Sequence, residues 1–339
     1  MPGVNNGTTA HGPRVAVIIP FYQRAAGILP RALASVFAQD FLPAPTVLVV
    51  DDASPVPAAG EIAALSPDQA ARVTVIRQAN AGPGAARNRA LEALGDDIDY
   101  VAYLDSDDEW LPDHLSRAVA ALESGYDFYF SNYRDIGSVL GGFEVRGHLH
   151  LEEHDPVPGQ PDVYHYRGDL RDAILDASPV ETSTVVFRRA AFGHLRFQRE
   201  FRYAYEDLMY WFDVAASSSR IAFSPVVGTQ YGEGVNVYRS IEPNSDIFLR
   251  ALVGSTMFGA GVRRAHRLTA TQRSAVGRRI VHDRRALAYQ VLYRVRRRLG
   301  WPVREVGAFL KASPSSWLLL PVESGRLVVR WMTGRGFEP

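Results

Sequence analysis

The chain has 339 residues, 47% hydrophobic and 22% charged, and its Lys+Arg and Asp+Glu totals are both 37. That is ordinary globular composition for one large or two smaller domains, and the balanced charge excludes a bulk electrostatic pull toward nucleic acid. With no cysteine, disulfides, thiolate metal sites and cysteine nucleophiles are excluded as well. Met1–Gly12 is polar and rich in Gly, Asn and Thr, so it reads as a disordered tail rather than a signal peptide. No apolar run approaches the roughly 20 residues of a membrane span, and a cytoplasmic protein is expected.

Arg14-Val-Ala-Val-Ile-Ile19 is a β-branched run stopped by Pro20, which predicts a buried parallel strand. A helix follows with Leu29, Leu33, Val36 and Phe37 on one face. Thr46–Val50 is a second strand ending in Asp51-Asp52, and Arg72–Ile76 is a third. Ala81-Gly-Pro-Gly84 turns into a helix over Ala85–Leu94. Tyr100–Leu104 is a fourth strand, closed by Asp105, Ser106, Asp107 and Asp108, and a helix carrying Leu115, Val119 and Leu122 comes next. Tyr126–Phe130 is a fifth strand. This alternation predicts an α/β fold with a mostly parallel central sheet and helices on both faces.

Residues 137–170 lose periodicity and read as a long loop, a candidate lid, with His148, His150, His154 and His165 in solvent. Thr182–Phe187 returns to strand pattern, and Glu206-Asp207 opens a helix over Leu208–Ala216. Val262–Gly300 carries twelve Arg against one acidic residue, Asp283, with Val276, Ile280, Leu287, Val291, Val295 and Leu299 at helical spacing. It is an amphipathic helix or helix pair. Its arginine face is either simply solvated or a surface for anionic lipid or an anionic acceptor. The domains expected are a catalytic domain over 13–240 and a basic helical region over 241–339.

Two strand ends therefore carry acidic clusters. If the strands are parallel neighbours, both clusters open on one edge of the sheet, where ligands bind in open α/β folds. Crowded carboxylates repel one another unless a cation offsets them. Oxygen ligands on a short loop suit Mg²⁺ or Mn²⁺ bridging to substrate phosphates. The alternative is an acidic turn capping the next helix, with Pro112 at a first helical position.

Val15-Ala-Val-Ile-Ile-Pro-Phe-Tyr22, Val49-Val-Asp-Asp-Ala-Ser54, Asn80-Ala-Gly-Pro-Gly-Ala-Ala-Arg-Asn88 and Tyr103-Leu-Asp-Ser-Asp-Asp-Glu-Trp110 resemble successive motifs of the family 2 glycosyltransferases, in the family's order. The resemblance covers about residues 13–235 and implies a GT-A fold with inverting transfer from a nucleotide sugar. It implies that Pro20 and Tyr22 hold the nucleotide base, that Asp52 accepts from a uracil ring, and that Arg87 approaches the nucleotide. Asp105 and Asp107 match the Asp-x-Asp signature, the first contacting the ribose or sugar and the second coordinating Mn²⁺ or Mg²⁺. Asp207 matches the general base, with Glu206 the next choice. Trp110, Glu181, Thr182 and Glu206 fall in the implied acceptor region, and the acceptor implied is a glycan or lipid-linked hydroxyl of a surface polysaccharide. One departure stands out. Many members carry a His after the last core strand, but Gln230-Tyr-Gly-Glu-Gly-Val-Asn236 has none, so Glu233 or water takes that place.

Three rival readings are weaker. No Gly-x-Gly-x-x-Gly follows the first strand, which counts against a nicotinamide enzyme. The Gly-rich loop of a nucleotide-sugar pyrophosphorylase is also missing. An arginine-rich module on a degenerate transferase-like domain, binding membrane or polyanion without catalysis, is the non-enzymatic alternative.

Overall fold

The computed structural model describes residues 12–63, 65–147, 149–201, 204–234 and 245–333. The expected tail lies outside these residues except for Gly12, as do His148 and the ends of the basic region at 241–244 and 334–339. Along the chain run β1 (Val15–Phe21), α1 (Leu29–Phe37), β2 (Thr46–Asp51), the short α2 (Ala58–Ile62) and α3 (Pro67–Ala70), β3 (Val73–Arg77) and α4 (Pro83–Ala93). Then come β4 (Tyr100–Tyr103), β5 (Glu109–Trp110), α5 (His114–Glu123), β6 (Phe128–Arg134), α6 (Gly142–Arg146), β7 (Asp155–Pro156) and β8 (Tyr164–His165). They are followed by α7 (Leu170–Ala177), β9 (Val185–Arg188), α8 (Arg189–Phe192), α9 (Glu206–Ser217) and β10 (Ile221–Gln230). The last four helices are α10 (Asp246–Ala265), α11 (Ala270–Arg296), α12 (Val303–Ala312) and α13 (Ser316–Met332).

The chain divides into two compact units. The first holds 1–168, 179–195 and 218–235, and the second holds 169–178, 196–217 and 236–339. The first is built on one sheet in the order β3-β2-β1-β4-β9-β6-β10-β8-β7, with β5 paired to β10. β1 pairs in parallel with β2 and β4, so the acidic ends of β2 and β4 reach the same edge on either side of β1. β9 enters antiparallel between β4 and β6, which makes the sheet mixed.

Local sequence explains these strands. Every residue of β1 is buried, as a central strand covered on both faces requires. The strand does not stop at Pro20. It runs on to Phe21 in register with Asp51. Leu104 N–H donates to Ile18 O, and Asp52 N–H donates to Phe21 O. By alternation the Pro20 nitrogen points to the β4 side, beyond the last β4 pair at Ile18 and Tyr103, so its missing N–H removes no ladder bond. Pro225 is tolerated in β10 because the register shifts between Ser224 and Val227.

Three expected elements differ in detail. Pro112 does not open the helix after the acidic cluster. Glu109 and Trp110 first pair with Gln230 and Thr229, and α5 begins at His114. Thr182–Thr184 is a 3-10 turn, and the strand starts at Val185. The 137–170 segment carries α6, a 3-10 turn at Leu151–Glu153, and β8, which pairs with β10 and extends the sheet.

The second unit is helical. His266 Nε2 lies 2.7 Å from Asp213 Oδ1, and Gln272 Nε2 donates to Asp169 and Asp172 at 3.0 and 2.9 Å. Asp283 is buried and accepts from Thr256 Oγ1 at 3.0 Å. Val276, Ile280, Leu287 and Val291 of the arginine-rich stretch face inward, whereas Val295 and Leu299 are exposed. Arg284 and Arg294 are buried, so this stretch is not uniformly a solvated arginine face.

In the first unit, His114 is buried beneath the sheet, 4.8 Å ring to ring from Trp110, and its Nε2 has no hydrogen-bond partner among the described residues. Burial pushes this imidazole down from 6.5 to about 3. The unfolded chain binds the proton first as pH falls, so His114 contributes full stability above about 6.5 and loses it progressively toward about 3. The expected slope is up to about 1.4 kcal/mol per pH unit. In denaturant titrations at several pH values, His114→Gln is expected to flatten the acid-side loss. An unchanged slope would place the dependence elsewhere.

Candidate active site

The ends of β1, β2 and β4 build one network in the first unit. Asp51 is spent on its own loop, accepting from Ser54 N at 2.8 Å and Ala58 N at 3.0 Å. Asp52, also buried, accepts from Gln78 Nε2, Ala81 N and Gly82 N, each at 2.8 Å. Gly82, at φ 93, is the N-cap of α4, so the Asp52 carboxylate sits at a helix N-terminus where the helix dipole favours negative charge. One turn into α4, Arg87 is buried, and its Nη2 reaches Asp105 Oδ1 at 2.6 Å. The glycine turn thus joins the two acidic strand ends. Gln23 adds a second bridge, from Ser54 Oγ at 2.8 Å to Ser106 Oγ at 3.1 Å.

The acidic loop itself is sorted by depth. Asp105 N–H donates to Ser183 Oγ at 3.0 Å, and Ser183 Oγ donates to Asp108 Oδ2 at 2.6 Å. Asp108 Oδ1 accepts from Gly232 N at 3.1 Å. Burial first, then Asp105 and Asp107, hold the Asp108 carboxyl well above the usual carboxylate range. Asp107 is half-buried against the Gly232–Gly234 segment. A Cβ on Gly232 would collide with the Asp107 carbonyl, and one on Gly234 with its carboxylate. Small residues at 232 and 234 are therefore what allow this segment to lie on the loop. Beside it, Arg31, Glu109, Arg134, Gln230, Tyr231 and Glu233 line a cleft of about 410 Å³.

The acceptor-region candidates separate. Trp110 is 5% exposed, sits in the hydrophobic core, and donates from Nε1 to Ser183 O at 2.7 Å. It supports the acidic loop from below. Thr182 is likewise buried. Glu181 is paired with Arg146 Nη2 at 2.5 Å and accepts from Tyr231 Oη at 2.9 Å. Tyr22 is half-buried at the end of β1, and Pro20 is buried within it. Glu233 is exposed, and its carbonyl accepts from Arg31 Nη2 at 3.4 Å.

Glu206 and Asp207 belong to the second unit, at the first turn of α9. Glu206 is buried, and Asp207 Oδ1 accepts from Leu208 N at 2.7 Å. The residue before this pair, Tyr205, has φ 68, and the residue after Asp52, Ala53, has φ 54. Only Asp162 and Arg298 share this left-handed state among the described non-glycine residues. Such strain, unfavourable for a bulky side chain, concentrates at functional positions.

The family model described as Glycosyl transferase family 2 matches residues 16–194. The chain belongs to this family. It is a glycosyltransferase. It is 38% identical over 247 residues to the succinoglycan biosynthesis protein ExoW of Rhizobium meliloti (strain 1021), covering 70% of this chain and 74% of that protein. Among solved structures it resembles S. aureus TarS 1–349 in complex with UDP-GlcNAc, with TM-score 0.57 and 20% identity over 89% of this chain and 80% of that one. The chain covers 52% of the longer TarS structure. The mannosyltransferase PcManGT from Pyrobaculum calidifontis, in complex with GDP-Man and Mn²⁺, aligns with TM-score 0.56 and 19% identity over 95% of this chain and 87% of that one. At these identities the structures establish a shared fold, the GT-A arrangement of a mixed sheet with a parallel core.

In this glycosyltransferase Asp105 neutralises a buried arginine, and Asp107 is half-buried against the Gly232–Gly234 segment. Asp105→Ala leaves the Arg87 guanidinium buried without this carboxylate and is expected to cost on the order of 3 kcal/mol. Equilibrium unfolding of Asp105→Ala checks this, and an unchanged stability would refute it.

Proposed function

We propose that this glycosyltransferase inverts the anomeric centre of a nucleoside diphosphate sugar, most readily a UDP-sugar, as it transfers the sugar to a hydroxyl of a glycan or lipid-linked acceptor in surface polysaccharide synthesis. One observation carries the donor site. Asp52, the α4 N-terminus, Arg87 and Asp105 form a continuous network at one edge of three parallel strands. The relation to ExoW supports the polysaccharide assignment.

Asp52 offers about four acceptor sites and uses three on its own chain, so it retains capacity for the ring N–H of a uracil base. Pro20 and Tyr22 lie at the strand end where that base would rest. Arg87 holds Asp105 in one orientation toward the ribose or sugar. Among the described residues no group of three or more His, Cys, Asp or Glu forms a closed metal cage. Mg²⁺ and Mn²⁺ need no such cage, because one or two carboxylates plus substrate phosphates complete their shell. The oxygen-only, mutually repelling donors at Asp105 and Asp107 fit that chemistry, with Asp107 the principal ligand and Glu233 or water as a supplement. When bound, the ion supplies Lewis-acid stabilisation of the departing diphosphate.

Transfer forms a bond between the acceptor oxygen and the anomeric carbon as the bond to the phosphate oxygen breaks. The hydroxyl proton goes to a carboxylate, Asp207, with Glu206 the alternative at the same helix start. Such base catalysis contributes roughly 10²–10⁴-fold.

Thermal shifts with UDP, GDP, dTDP and CMP, each with and without Mn²⁺, test the donor site. A ligand at about 100 times its Kd adds about 2.7 kcal/mol of stability. The expected result is Mn²⁺-dependent stabilisation by UDP that Asp107→Ala loses. Silence with all four would defeat the reading. Asp207→Asn is expected to keep the UDP response but lose transfer by at least about 10²-fold. Full turnover by this variant would move the base to another carboxylate.

A further inference from the structure

The helical unit turns an apolar stripe outward. On α13, Leu318, Val322, Val329 and Met332 are 79%, 48%, 59% and 75% exposed. They stand at i, i+4, i+11 and i+14, so a 3.6-residue period puts them on one side of the helix, together with Pro321 and Gly325. The opposite side serves the unit's own interior. Leu327 is buried there, and Ser316 Oγ accepts from Arg284 Nε at 2.9 Å. Folding therefore uses one side of α13 and leaves the apolar side uncovered. A surface helix of a globular protein normally turns polar residues to that side.

The margins of the stripe are not apolar. Arg326 and Arg330, both exposed, follow Leu318 at i+8 and i+12 and run along one flank. Trp317, also exposed, stands on the other. The connection from α11 to α12 has the same make-up: Arg296, Arg297 and Arg298 are exposed, followed by exposed Leu299, Trp301 and Val303.

Two occupants could cover such a stripe. A second copy would need a coiled-coil seam, but the stripe spans only two heptads where three or four are usual, and Pro321 interrupts it. Aliphatic residues at the centre with tryptophan and arginine at the edges are instead the make-up of a helix lying in a bilayer interface. No described helix is long and apolar enough to cross a membrane, so the contact is one of lying on the surface. The flank also carries Glu323, which is mostly buried and paired with Arg326 at 3.2 Å and Arg285 at 3.7 Å, so the charge it exposes is that of arginine, which complements anionic headgroups.

We propose that α13 is an interfacial helix that docks the protein on an anionic lipid surface. The Leu318–Met332 stripe enters the acyl boundary, and Arg326 and Arg330 meet the headgroup phosphates. This replaces the arginine-rich stretch 262–300 as the membrane-contacting element, because the apolar side of that stretch is largely spent inside the unit. It does not depend on the donor, metal and base assignments.

Flotation of the whole chain with vesicles tests the docking. One set is phosphatidylcholine alone, and the other is one part phosphatidylglycerol to two parts phosphatidylcholine. Wild type is expected to float with the anionic vesicles and to be released by high salt in part. Leu318→Glu with Val329→Glu is expected to lower partitioning by about tenfold or more at an unchanged melting temperature. Arg326→Glu with Arg330→Glu is expected to remove the preference for anionic vesicles, again on the order of tenfold. The arginine pair is exposed, so it tests the docking even if the glutamate pair fails to fold. Wild type that stays unbound, or a glutamate pair that floats like wild type, would overturn the proposal. So would a dimer in sedimentation that Leu318→Glu dissociates, which would assign the stripe to a second copy.

Discussion

The first unit depends on how carboxylate repulsion at the ends of β2 and β4 is absorbed. Asp51, Asp52, Asp105, Asp107 and Asp108 all fall at that edge of the sheet. The partners of four of them lie within the first unit. Asp51 and Asp52 accept backbone N–H groups, Asp105 takes a buried guanidinium, and Asp108 is bonded to Ser183 and Gly232. Burial of Asp108 beside two other carboxylates disfavours its ionised form. The loop is thus held by hydrogen bonds, with Asp107 half-buried against the Gly232–Gly234 segment.

The same economy explains the Gly82 turn and the Gly232–Gly234 segment. Gly82 adopts φ 93 so that α4 can start where its N–H groups reach Asp52. That start then sets Arg87 one turn on, in reach of Asp105. Gly232 and Gly234 have no side chain because the acidic loop occupies the space. Trp110 and Ser183 add support from beneath, since the indole and the serine hydroxyl bond to the turn and loop rather than to solvent. Supporting partners of this kind hold a site's geometry in place.

Much of this was legible in the chain. The β-branched runs, their alternation with helical stretches and the order of four motifs pointed to a GT-A glycosyltransferase and to Asp52, Asp105 and Asp107. The partners of those residues were not legible. Arg87 could equally have been an exposed helix arginine, and nothing near Ser183 marked it as the residue joining Asp105 to Asp108. Both come from elements distant in sequence, and only strand order brings them together. The depth of Trp110 was not legible either, because aromatic residues serve cores and sugar sites alike. Asp108 carried a signal, as the third acid of its cluster, but its depth is a tertiary property.

The sequence by itself determined what is local or periodic. It set the strand and helix alternation, the acidic strand ends, the glycine turn and the absence of thiol chemistry, because these follow from residue type and spacing. Only the tertiary structure decided which faces are used. It inserted β9 antiparallel between β4 and β6 and tied Asp105 to Arg87. It spent the apolar side of α11 inside the helical unit and left that of α13 outside. Burial depends on what packs against an element, and a 3.6-residue stripe reads the same whether its partner is the chain's own core or another surface.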